Sequence, residues 1–131
     1  MAQSAPRSDI TLPQAVKRWL REKRGSLKWR MLGPFGDSWQ LHCRHKTPDD
    51  PNIMVLILRD DSKWVYSPDN QPLLDAAHPD FFDKLWKLLK HMQKSNERWI
   101  VAVREFWISE NKQLSAMSDT GKFWKDPTVP Q

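Results

Sequence analysis

A single cysteine, Cys43, in 131 residues excludes an internal disulfide and a multi-thiolate zinc centre, so a hydrophobic core has to hold the fold without a staple. No apolar run approaches the roughly 20 residues of a membrane span. Met1 to Ser8, polar with one arginine, lacks the apolar stretch of a signal peptide. The chain therefore reads as cytoplasmic, with no membrane partner. Internal repeats and low-complexity segments are absent, as are a Gly-rich phosphate loop and a Ser-centred elbow. His42 beside Cys43 has no spacing that argues for a nucleophile and its base. His42, Cys43, His45, Asp49 and Asp50 have the composition of a metal cluster, but neighbours on a strand point to opposite faces, so His42 and Cys43 are poorly placed to share an ion. No metal or other cofactor is implied.

What the chain does have is aromatic bulk and localised positive charge. Eight Trp and five Phe in a chain 39% hydrophobic are ample material for the core of one domain. Residues 1–10 are expected to be a flexible lead-in, 11–117 a single α+β domain and 118–131 a partly mobile tail. Lys17, Arg18, Arg21, Lys23, Arg24, Lys28 and Arg30 against Glu22 alone give +6 over residues 17–30, so the remainder of a chain of net charge +5 carries −1. A basic patch of this kind is the footprint expected for a polyanion partner, although a charged helix face also serves solubility.

Periodicity orders the elements. Thr11 is a suitable N-cap, with Pro13 in the first turn, for a helix over about 12–24 that ends at Gly25. Leu12, Ala15, Val16, Trp19 and Leu20 share its core face; Lys17, Arg18, Arg21 and Arg24 lie opposite. Leu27, Trp29 and Met31, then Trp39, Leu41 and Cys43, alternate with polar residues as two antiparallel strands around the "GPFGD" turn. Arg30 and Lys28 then project beside Gln40, His42 and Arg44 as a second basic strip. Ile53 to Leu58 reads as a central strand, Trp64 to Tyr66 as a short one, and "SPDNQP" as the end of a three- to four-stranded antiparallel sheet.

The second half reads as helical. A short helix is expected at Leu73 to Ala77 and a stronger one over about 79–94, with Phe81, Phe82, Leu85, Leu88, Leu89 and Met92 on its core face and Lys84, Lys87, Lys90, His91 and Lys94 on the solvated one. Residues 98–108 fit helix or strand. Their β-branched and aromatic content suits a strand, but that places Glu105 among Trp99, Val101, Val103 and Trp107, which favours helix. Five or six of the tryptophans belong in the core, leaving Trp29 or Trp64 for an exposed role such as stacking on a base.

Two resemblances bear on function. Pro48-Asp49, an apolar strand and Asp61-Ser62-Lys63 resemble the P-D and D-x-K elements of restriction-endonuclease-like nucleases over residues 48–63. That likeness implies a divalent ion held by Asp49 and Asp61 and a water oriented by Lys63, and, if residues 98–108 form a strand so that the element order also resembles that family's core, Glu22 as a further acid. The order helix, three strands, helix is also similar to double-stranded RNA-binding domains in topology. The reading preferred from the residues is a non-enzymatic domain that binds DNA or RNA through phosphates, with little sequence specificity, using Lys17, Arg18, Arg21, Arg24, Lys28, Arg30 and Arg44. The alternatives are an interaction module or inhibitor that docks an acidic protein, and the metal-dependent nuclease.

Overall fold

The computed structural model describes residues 10–44 and 55–115, the side chains of 111–115 excepted. Asp49, His45, Asp50, the lead-in up to residue 9 and the tail from residue 116 lie outside the described residues. Helix α1 (Leu12–Glu22) starts on a reciprocal capping box: Thr11 Oγ1 accepts from the Gln14 N–H at 3.3 Å, and Gln14 Oε1 accepts from the Thr11 N–H at 3.0 Å. Its C-cap is Lys23, and Gly25 follows at φ +99°, a conformation that suits glycine. Pro13, Val16 and Leu20 are the buried residues. Trp19 is only half-buried, at the rim of that face, where its ring meets Phe82 at 5.2 Å.

Five antiparallel strands follow as a meander, in the order β1-β2-β3-β4-β5: β1 (Trp29–Phe35), β2 (Ser38–Cys43), β3 (Val55–Arg59), β4 (Trp64–Tyr66) and β5 (Pro72–Asp75). The period-2 rule sorts their side chains. In register, Trp29 faces Cys43, Leu41 faces Leu56, and Val65 faces Leu74, which lines these buried residues up on one side of the sheet. Arg30, Gln40, His42, Ile57 and Tyr66 fall on the other. The chain turns between β1 and β2 at Gly36, φ +67°. At Gly33, φ +134°, an added Cβ would stand 3.1 Å from Trp39 Cε3, so the bend needs a bare backbone.

The sheet has one strand more than expected, because Pro72–Asp75 is a strand where the sequence suggested a helix over Leu73 to Ala77. "SPDNQP" accordingly joins β4 to β5 rather than ending the sheet; Ser67 Oγ accepts from the Gln71 N–H at 3.0 Å, with Asn70 at φ +69°. The register of β4 and β5 shifts between Val65 and Tyr66, which leaves Leu73 as an extra residue and turns both Leu73 and Leu74 inward. Two adjacent buried leucines break the alternation by which a strand is recognised. The five strands also take the fold away from the helix, three strands, helix order.

Helix α2 (Phe81–Lys94) lays Phe81, Leu85, Leu88, Leu89 and Met92, each at most 3% exposed, over the inner face of the sheet. The Trp29 indole N–H donates to the Leu89 carbonyl at 3.2 Å across this layer. The segment from Trp99 is helical, as α3 (Trp99–Ser115), which packs Ala102, Val103 and Phe106 on α2. Lys84 does not join a solvated stripe. Its Nζ lies 3.3 Å from Glu110 Oε1, with the two side chains 14% and 6% exposed, so α2 and α3 share a nearly buried ion pair. No helix among the described residues is long and apolar enough to cross a membrane.

Candidate nucleic-acid interface

Lys17, Arg21 and Arg24 recur at i, i+4 and i+7, which aligns them along one flank of α1 and the turn that follows it. Helix α1 packs against β1, the edge strand. Arg30 comes from that strand. Arg44 directly follows β2, where its backbone N–H donates to the Lys28 carbonyl and keeps it beside the edge. These five cations rim one cleft of about 230 Å³ whose floor is Leu20, Leu27, Trp29 and Met31. All five are exposed, and among the described residues no acidic side chain lines the cleft and none of the five forms an ion pair with a carboxylate. An apolar floor lowers the local dielectric, so the like charges repel more than they would in open water. An arginine cannot relieve that repulsion by losing its proton. An anion can.

The other predicted cations stand apart from the cleft. Arg18 shares a shallow basin with Ile10, Gln14, Lys17 and Arg21 on the outer side of α1. Lys28 is exposed but does not line the cleft; its backbone N–H is held by Gln93 Oε1 at 2.7 Å. Glu22, the acid within the basic stretch, lines a different pocket, with Arg18, Trp19 and Phe82.

His42 lies beside Arg30 on the outer face, its Nε2 2.8 Å from Gln40 Oε1. Burial, and then the positive charge of Arg30, hold its pKa below the usual imidazole range. At neutral pH it therefore adds no charge to the patch. Cys43 faces the opposite way and is 1% exposed.

The nuclease-like residues are placed differently. Asp61 is exposed in the turn after β3. Lys63 Nζ lies 3.4 Å from Asp75 Oδ2 and 5.9 Å from the centroid of Trp64, which ties it to β5 and its own strand. Asp49 lies outside the described residues. Among the described residues no group of three or more His, Cys, Asp or Glu is placed to hold a metal ion.

Trp29 is not an exposed ring: its parity turns it inward, and it is 4% exposed. Trp19, Trp39, Trp86, Trp99 and Trp107 pack partly buried around the core. Two of them form a feature the sequence reading missed. Trp19, Lys23, Phe82, Asp83 and Trp86 line a cavity of about 400 Å³ between α1 and α2. The signal was the pair of i, i+4 repeats, Trp19 with Lys23 and Phe82 with Trp86, at the rims of two apolar faces.

No protein-family model, curated protein or solved structure matches this chain. Its function has to be argued from the geometry of the clefts themselves.

Proposed function

We propose that the protein is a nucleic-acid-binding domain that grips backbone phosphates in the cleft between α1 and β1. The observation that carries this reading is the convergence of Lys17, Arg21, Arg24, Arg30 and Arg44 on one cleft that no acid among the described residues lines, although Arg30 and Arg44 come from the sheet region and the other three from α1 and the turn that follows it. A solvated helix face requires no such convergence. Arginine suits the role because its planar fork can donate two hydrogen bonds to one phosphate. Contacts of this kind give affinity and register without reading bases, so binding is largely independent of sequence.

The test is a mobility shift or fluorescence anisotropy titration with single-stranded and duplex oligonucleotides of unrelated sequence. Binding at about 50 mM salt that weakens steeply as salt is raised is the expected result. No binding of either form at that salt overturns the proposal. Co-purification with one acidic protein that survives nuclease treatment would favour a protein ligand in its place.

A further inference from the structure

Around α1, at 100° per residue, the core face formed by Val16 and Leu20 is flanked on one side by Lys17, Arg21 and Arg24 and on the other by Trp19 and Lys23. The basic cleft and the aromatic cavity are thus the two flanks of a single helix. They meet at its C-terminal end, where Lys23 of the cavity and Arg24 of the cleft are consecutive residues. We infer that the aromatic cavity receives one unpaired base of a nucleic-acid strand whose phosphates lie in the basic cleft, which makes the preferred ligand single-stranded; this rests on the phosphate-binding reading.

The composition of the cavity selects a base over other occupants. Its rings are held by the core yet reachable: Trp19 and Trp86 are half-buried and Phe82 is 36% exposed. A flat aromatic heterocycle of any identity stacks on such rings. The ammonium groups of Lys23 and Lys90 stand over the Trp86 ring, 5.7 Å and 5.5 Å from its centroid, so a base that takes their place on the ring leaves two flexible cations beside the phosphate it carries. Lys90 is tied to the same turn, donating to the Ser26 carbonyl at 3.2 Å. Asp83, whose Oδ2 lies 3.7 Å from Lys87 Nζ, lines the α2 side of the cavity. Its carboxylate keeps acceptor capacity beyond that pair, which can take the N–H groups on a base edge. A cavity with cations at its border and a carboxylate in its lining fits a nucleotide with the base inward and the phosphate outward. Bases of an intact duplex are stacked and paired, and would have to be extruded to enter.

Anisotropy titrations with a labelled mixed-sequence single strand and with its duplex, on the unaltered protein and on Trp86→Ala and Phe82→Ala, test this. Far-UV circular dichroism checks each variant for folding; the exposure of Phe82 makes its variant the safer of the two. Removal of either ring is expected to weaken single-strand binding roughly 5- to 100-fold. Duplex affinity and the salt dependence set by the cleft should stay unchanged. Folded variants that bind the single strand as tightly as the unaltered protein, or that lose duplex affinity to the same extent, overturn the base-binding cavity. Those results leave the phosphate cleft standing if the unaltered protein still binds with a steep salt slope. An unaltered protein that binds neither form overturns both readings.

Discussion

Replacing Arg21, Arg24 and Arg44 together by Gln removes three of the five cations that rim the cleft and leaves its apolar floor in place. All three are exposed and none is paired to a carboxylate among the described residues, so the change should leave thermal stability nearly untouched. Its effect on binding is set by counterion release. If each cation neutralises one phosphate of a duplex, log affinity falls with log salt at a slope of about 4.5 for the unaltered cleft and about 1.8 for the triple variant, at roughly 0.9 per contact. Between about 50 and 200 mM salt those slopes correspond to losses of roughly 500-fold and roughly 12-fold. Anisotropy titrations at four or five salt concentrations measure both. Arg18→Gln and Lys28→Gln are the controls, because these residues are equally exposed but do not line the cleft, and each should change the slope little. A folded triple variant with the original slope, or an Arg18→Gln variant whose slope falls as far as that of the triple variant, would refute the assignment of the cleft.

Glu110→Ala takes the carboxylate away from the nearly buried Lys84 ammonium and should destabilise the fold, while Lys84→Met with Glu110→Leu should recover most of the loss, as read from denaturant midpoints. Trp29→Ala empties a fully packed site and should cost about 3–5 kcal/mol, whereas Trp19→Ala at the rim should cost about half as much; equal costs would contradict the burial assigned to them. His42 has its pKa lowered first by burial and then by Arg30, so the unfolded chain takes up this proton at a higher pH than the folded one. Its contribution to stability is therefore present above the usual histidine pKa and is lost as pH falls through the folded value. Tm should drop on acidification from about pH 7 to about 5.5. His42→Gln should shrink that drop, and an identical pH dependence in the variant would refute the link.

Local pattern was enough to place α1, α2 and four of the five strands: a regular period marks α1, α2, β1 and β2, and an unbroken apolar run marks β3, which alternates between buried and half-buried residues. Thr11 and Pro13 marked the start of α1 through backbone chemistry that is local by nature. The same logic failed at Leu73 and Leu74, where the partner strand and its bulge decide that both residues turn inward. Glu105 leaned correctly toward helix for residues 98–108, yet Lys84 was assigned to solvent, since only the packing of α2 on α3 brings Glu110 to it. Charge shows the same division. That residues 17–30 are strongly basic is a property of the sequence alone. Which of those cations share a cleft was decided by tertiary structure, because α1 lies along β1 and brings Arg30 and Arg44 to the flank that carries Lys17, Arg21 and Arg24, and leaves Arg18 and Lys28 outside. The aromatic cavity is tertiary in the same sense: Trp19 and Trp86 lie 67 residues apart in sequence, and neither helix forms the cavity by itself. A helix period records which side of one element faces the core. It carries no information about which element stands across from it.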